Sequence, residues 1–346
     1  MSRRSVLIIY TGGTIGMVKN AKDGSLKPLD FENFYNYLPV LENYPVDISF
    51  KSLPRVIDSS DMMPAFWKEI GQIIYDNYEE YDGFVVLHGS DTMAYTASAL
   101  SFMLENLNKP VILTGSQLPI GMLRSDAREN LINSIEIAST YENDVPVVPE
   151  VAICFENKLF RGNRAAKINA ENFDAFITPN YPLLAEIGVH IRFNKPFIAK
   201  PTFKKLRFYG DFDVSVGILK LFPGMPLSYV ESVLLQPDLK VIILESFGTG
   251  NAPTHAHFVN AVKKAIEQGK IILNVTQCKG GSVMMGKYEA SKHLLDLGVV
   301  SGYDITIEAA ITKSMFLLGL KKQQKDEIKK LLATNLRGEM TIQDLY

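Results

Sequence analysis

The sequence predicts an α/β protein with a mostly parallel sheet, and three observations carry that prediction. Short apolar runs recur along the chain, longer stretches of helical period separate them, and 346 residues exceed what one domain usually holds. In chain order the apolar runs are residues 6–10, 84–87, 111–113, 151–155, 241–244 and 271–275. Each reads as a strand covered on both faces, because strands of a parallel sheet lose the inside–outside alternation of a half-exposed one. Between them, residues 63–78, 93–106, 126–141, 254–268 and 289–297 carry helical spacing, so strand and helix alternate as crossover connections require. Residues 191–212 break the rhythm with two prolines, several lysines and arginines and no period. They are read as a linker between a domain at 1–190 and another at 213–346. Residues 321–335 show an amphipathic helical pattern, a packing element rather than a site.

Composition narrows the function classes. With 47% hydrophobic and 21% charged residues the chain is that of an ordinary globular protein. Lys and Arg number 36 against 38 Asp and Glu, and the formal net charge of −2 creates no field for phosphate backbones or anionic lipids. Neither nucleic acid nor a membrane is an expected partner. No stretch reaches the ~18 apolar residues of a membrane span, and the opening apolar run is too short for a secretory signal. A cytoplasmic protein is expected. Cys154 and Cys278 both stand in mostly apolar, strand-like surroundings and are expected as small buried hydrophobes in a reducing compartment.

In an open α/β sheet, ligands sit outside the carboxyl ends of the strands, so the residues after each strand are the first candidates. After the first run stand Thr11-Gly12-Gly13-Thr14-Ile15-Gly16. Adjacent glycines let the backbone approach a ligand, and two hydroxyls flank them, so N–H donors and a potential nucleophile share one turn. A tight connection or a variant phosphate loop reads the same way. After the second run come His88-Gly89-Ser90-Asp91-Thr92-Met93. Any of Ser90, Asp91 and Thr92 could cap the next helix. Together they also place an acid suited to a substrate ammonium beside a hydroxyl suited to proton transfer. Thr114-Gly115-Ser116-Gln117-Leu118-Pro119 repeats the design, and Asp58-Ser59-Ser60-Asp61 is either a capping cluster or a set of donors for a carboxylate. Lys167, in Arg161-Gly162-Asn163-Arg164-Ala165-Ala166-Lys167, is a solvated charge unless it is buried beside a hydroxyl and a carboxylate.

Two patterns mislead. Residues 281–287 fit G-x-x-x-x-G-K after a strand, but Tyr288 stands where magnesium coordination needs Ser or Thr, so nucleotide hydrolysis is not expected. His255 and His257 are two apart, off one helical face, and no H-E-x-x-H occurs, so no metal is expected. No cofactor is expected either.

Taken together, the turns at 11–16, 58–61, 88–93 and 114–119, Lys167 and Gly248-Thr249-Gly250-Asn251 resemble the bacterial-type L-asparaginases, and in particular the cytosolic type I branch. The resemblance runs over essentially the whole chain. It implies a larger N-terminal mostly parallel α/β domain, a smaller C-terminal α/β domain and a homotetramer, a dimer of dimers with active sites between paired subunits. It also implies hydrolysis of L-asparagine to L-aspartate and ammonia. Thr14 would attack the amide carbon, while Ser90, Asp91 and Lys167 manage protons, Asp91 also gripping the substrate ammonium. Asp58, Ser59 and Ser60 would hold the α-carboxylate, backbone N–H groups near Ser90 and Gly115 would face the oxyanion, and Asn251 would reach the substrate end of a neighbouring site.

The chain departs from the family pattern at three places. Position 90 is serine where most relatives have threonine, which keeps the hydroxyl. The loop Asp23-Gly24-Ser25-Leu26 lacks the tyrosine that in many relatives activates the nucleophile, and Tyr288 is the expected replacement as proton acceptor, with Tyr10 or a water next. Glu245 stands where some cytosolic relatives place an arginine for a regulatory asparagine, so that regulation is not expected. Two other classes compete: an ammonia-releasing amidotransferase subunit, for which an extra N-terminal region would be expected, and a non-catalytic amino-acid sensor, which would not need Thr14, Ser90 and Lys167 together.

Overall fold

The computed structural model describes residues 3–19, 26–28, 38–286, 289–320 and 324–342. The chain forms two compact units, residues 1–210 and 211–346. The first contains β1 (Arg4–Gly12), β2 (Val46–Ile57), β3 (Gly83–Leu87), β4 (Val111–Thr114), β5 (Val151–Phe155), β6 (Lys158–Arg161), β7 (Ala185–Ile187) and β8 (Ile191–Phe193). They make one sheet in the order β8-β7-β6-β5-β4-β3-β1-β2. The five strands from β5 to β2 pair in parallel. Beyond β5 the pairs are antiparallel.

Residues 6–10 are apolar throughout because both faces of β1 are covered. Val6, Ile8 and Tyr10 pack in one cluster with Leu131 and Ile135 of α3 (Ala127–Ser139), and Leu7 and Ile9 on the opposite face are also fully buried. α1 (Pro64–Asp76) is amphipathic and buries Trp67, Ile70 and Ile74. α2 (Met93–Met103) is buried at nine of its eleven positions, which its many small residues permit.

The second unit is a four-stranded parallel sheet, β9 (Val216–Lys220), β10 (Val241–Ser246), β11 (Ile271–Thr276) and β12 (Val300–Ser301) in that order. Its helices are α4 (Leu227–Leu234), α5 (Ala256–Glu267), α6 (Glu289–Asp296), α7 (Ile307–Gly319) and α8 (Lys325–Leu332). Leu219, Ile242, Leu244 and Ile272 meet Phe258, Val262 and Leu294 in its core. A salt bridge of 2.7 Å between Lys313 and Glu339, both side chains fully buried, ties α7 to the segment after α8.

The fold departs from the sequence expectation in places that have physical reasons. Residues 191–208, read as a linker, are built into the first unit: β8 is its edge strand, and Arg207–Phe208 pairs antiparallel with Leu104–Glu105. Edge pairing needs no apolar run, so composition did not reveal it. β2 was not anticipated because it is the opposite edge strand, carries charges and contains Pro54. The proline lies where the register with β1 shifts, Tyr10 pairing with Ser52 but Gly12 with Ile57, so no ladder donor is missed. Cys154 is buried in β5 as expected, whereas Cys278 is exposed, two residues beyond β11. No helix among the described residues is long and apolar enough to cross a membrane.

Candidate active site

Strand order diverges at β1: β2 lies on one side of it, and β3, β4 and β5 follow on the other. Crossovers therefore leave in opposite directions and open a crevice outside the carboxyl ends of β1 and β3. The turns 11–16 and 88–93 follow those two strands.

Close backbone contact locks these turns together. Gly13 has φ of 82°, and a Cβ there would sit 2.5 Å from the Gly89 nitrogen, so only glycine fits both the conformation and the space. A Cβ on Gly12 would meet the Ile57 carbonyl at 2.0 Å, which brings the end of β2 and the turn after it to the same place. Gly89 in turn lies against the Ser59 side chain, where a Cβ would be 2.4 Å from Oγ. Side chains add to the lock. Thr11 Oγ1 donates to the Leu87 carbonyl at 2.9 Å, and Thr92 Oγ1 donates to the Ser59 carbonyl at 2.7 Å.

Thr14 opens a single 3₁₀ turn, Thr14–Gly16, and is half-buried. Asp58 is the N-cap of a second such turn, Ser59–Asp61, and its carboxylate accepts from the Ser60 N–H and Oγ, each at 2.8 Å. Those bonds hold its pKa below the usual carboxylate value. The capping reading of Asp58 therefore describes its geometry. Ser59 is buried and Ser60 exposed.

Lys167 reaches the Ser90 turn from a separate two-stranded ribbon that follows β6. Arg161, at the end of β6, is bound to Glu150 at 2.6 Å and lies over the Tyr181 ring, which anchors the segment leading to it. Ala166–Lys167 then pairs with Phe176–Ile177. Lys167 Nζ donates to Ser90 Oγ at 2.8 Å and to Asp91 Oδ1 at 2.6 Å. Its side chain is 15% exposed, so it is not the free surface charge that its sequence context allowed. The loop behind it is held by Gln117, whose Nε2 donates to the Asn172 carbonyl at 2.9 Å. Asp126 fixes the Gly115 turn by accepting from the Gln117 and Leu118 N–H groups.

Thr14, Asp58, Ser59, Ser60, Ser90, Asp91, Gly115 and Lys167 thus all lie in the first unit, on turns that touch one another or converge on the Ser90 turn. Thr92 and Gln117 were not anticipated as organisers; threonine beside a capping site is the only signal the first leaves, and the second leaves none. Asn251 belongs to the second unit, in a tight turn bridged to Phe247, and its Oδ1 has no hydrogen-bond partner among the described residues. Tyr288, Lys287, Asp23, Gly24 and Ser25 lie outside the described residues. Tyr10 is a poor substitute as proton acceptor: it is buried, its hydroxyl donates to the Gly16 carbonyl, and burial pushes its pKa up to about 12.

The misleading patterns resolve structurally. In the 281–286 loop the Val283 and Met284 N–H groups are taken by the Tyr303 and Thr249 carbonyls, so they are not free to cradle a phosphate. His255 is the N-cap of α5. No cluster of three or more potential metal ligands occurs among the described residues.

Comparison with known proteins agrees with this arrangement. Residues 5–199 match the model of the asparaginase N-terminal domain, and residues 215–332 that of the glutaminase/asparaginase C-terminal domain. The chain is 41% identical to L-asparaginase 1 of Escherichia coli K12, over 99% of this chain and 100% of that one. It is 42% identical to the 60 kDa lysophospholipase of Mus musculus, over 98% of this chain and 63% of the mouse protein. The structure of L-asparaginase I from Vibrio cholerae superposes with a TM-score of 0.89 at 41% identity, covering 98% of this chain and 100% of that one. On sequence and on fold alike, the chain belongs to the asparaginase family.

Proposed function

We propose that this protein is an L-asparaginase, an amidohydrolase that converts L-asparagine to L-aspartate and ammonia through an acyl-enzyme on Thr14. The observation that carries the reading is the Lys167–Ser90–Asp91 cluster at the divergence of strand order, with the backbone of Gly13, next to Thr14, packed on Gly89. Because Ser90 Oγ accepts from Lys167, its own O–H is left to point outward and can deliver a proton to a leaving nitrogen. Thr14 Oγ adds to the amide carbon, giving its proton to a phenolate, the role for which Tyr288 is the proposed residue. The C–N bond breaks, and the departing nitrogen takes a proton from Lys167 through Ser90. Water then cleaves the ester, Thr14 recovers its proton and the lysine is recharged. Ser59 and Ser60 hold the α-carboxylate, Asp91 the ammonium, and the Ser90 and Gly115 N–H groups the oxyanion. Asn251 completes the substrate end of a neighbouring site.

The same reading makes the protein a cytoplasmic homotetramer, a dimer of dimers. Met63, Leu123 and Ile168 support it: each is exposed, and each lies within a few residues of a site turn, as an apolar rim covered by a second subunit would.

The test is ammonia release from L-asparagine, L-glutamine and D-asparagine, with fatty-acid release from a lysophospholipid as a separate arm. Head-group contacts hold the substrate amide at a fixed reach, and a misfit of ~1 Å costs ~100-fold, so L-asparagine is expected to be strongly preferred. Equal kcat/KM on L-asparagine and L-glutamine would remove the preference, and ammonia release from neither would remove the activity.

A further inference from the structure

His88, the first residue beyond β3, is fully buried and takes part in a hydrogen-bond chain whose direction is forced. Its Nδ1 lies 2.7 Å from the Gly89 carbonyl oxygen, and its Nε2 lies 2.8 Å from Thr96 Oγ1. Thr96 Oγ1 also accepts from Trp67 Nε1 at 3.0 Å. A carbonyl can only accept, so Nδ1 carries the proton; the neutral ring then leaves Nε2 as an acceptor, and the Thr96 hydroxyl donates to it. Burial lowers the His88 pKa to about 4, which keeps the ring neutral. The chain runs from Trp67 on α1, through Thr96 on α2, to the imidazole and on to Gly89.

The last link matters because the Gly89 carbonyl and the Ser90 N–H are two ends of one peptide. In a planar trans peptide they point in opposite directions, so clamping the oxygen aims the N–H. Bonding to the oxygen also polarises the peptide and strengthens the N–H as a donor. The backbone of His88 has no room to drift: Cβ atoms on Gly13 and Gly115 would lie 2.9 Å from its carbonyl carbon and 2.4 Å from its carbonyl oxygen.

We propose that His88 is a positioning residue, which through Thr96 and Trp67 holds the Gly89–Ser90 peptide so that the Ser90 N–H is aimed at the oxyanion formed on the substrate amide. This rests on the amide-hydrolysis reading above. Deleting an oxyanion donor costs ~100- to 1000-fold in kcat, and a donor left in place but released from its clamp should cost less, about 30-fold.

Two substitutions separate the ring's two contacts. Asn places an amide N–H near the position of Nδ1, whereas Gln reaches the position of Nε2. Kinetics on L-asparagine are expected to show kcat about 30-fold lower in His88→Gln with KM within about threefold, and recovery to within about fivefold of wild type in His88→Asn. Thr96→Val, a near-isosteric change that removes the bond to His88 Nε2 and, with it, the Trp67 link, is expected to lower kcat about tenfold. Emission from Trp67, the one tryptophan of the chain, reports on that link separately and should shift in Thr96→Val. Wild-type kcat in His88→Gln or in folded Thr96→Val, equal loss in the Asn and Gln variants, or a loss confined to KM would each overturn the proposal while leaving the activity in place. Absence of ammonia release by the wild-type protein would remove both.

Discussion

At the residue scale the candidate site separates side chains that react from those that hold. Thr14→Val removes the proposed attacking oxygen but none of the proposed head-group contacts, so turnover should vanish while aspartate binding stays measurable by calorimetry. Activity within tenfold of wild type would place the nucleophile elsewhere. Lys167→Met should lower kcat by at least ~100-fold, the usual scale of general acid–base catalysis, because Ser90 loses its proton partner. His88 makes a prediction about stability. Its pKa is about 4 in the folded protein, against ~6.5 when unfolded. Between those values the unfolded chain binds a proton that the native ring refuses, so this contribution is complete above pH ~6.5 and is lost as pH falls toward 4. Relative to His88→Asn, the wild type should lose about 3 kcal/mol of unfolding free energy between pH 7.5 and pH 4. Parallel pH profiles for the two proteins would contradict this assignment.

At the element scale, the site depends on turns that interlock through backbone. Gly13→Ala must both strain a φ of 82° and push a methyl into the Gly89 nitrogen. Neither neighbour is a flexible side chain that can yield. The substitution is expected to cost at least about 2 kcal/mol in chemical denaturation and most of the activity, and near-normal values of both would show that the turns can separate. The same interlocking explains why the cluster 58–61 was ambiguous in sequence. Asp58 caps its own turn, as the capping reading has it, and the turn it shapes is nonetheless packed against Gly89. Capping and binding are not alternatives here, since a rigid turn is what a binding group requires.

At the scale of the whole molecule, the proposed dimer of dimers places the exposed Met63, Leu123 and Ile168 in an interface. Sedimentation of the wild type should give four times the chain mass, and Leu123→Glu, at a fully exposed leucine, should shift it toward smaller species and reduce activity with it. A monomeric, fully active wild type would remove both the assembly and the need for a neighbouring Asn251.

The sequence by itself determined the α/β class, because strand segments covered on both faces are apolar throughout, as residues 6–10 of β1, β3 and β5 are. It also determined which turns could carry chemistry, since adjacent glycines and clustered hydroxyls at strand ends need no knowledge of the rest of the chain. Elements under weaker constraint escaped it. β2 and β8 are edge strands with mixed composition, and α7 is buried on most sides, so it has no polar stripe to set a period. Tertiary structure alone decided which turns meet. Lys167 stands 77 positions from Ser90, and nothing local to Arg161–Lys167 distinguishes it from a surface lysine. The strand order that runs both ways from β1 brings the turns together, and order in a sheet is set by the packing of whole crossovers rather than by any residue near the site. The setting of His88 was decided in the same way: the Gly89 carbonyl beside it fixes the proton on Nδ1, but Nε2 is met by Thr96 of α2, itself bound by Trp67 of α1.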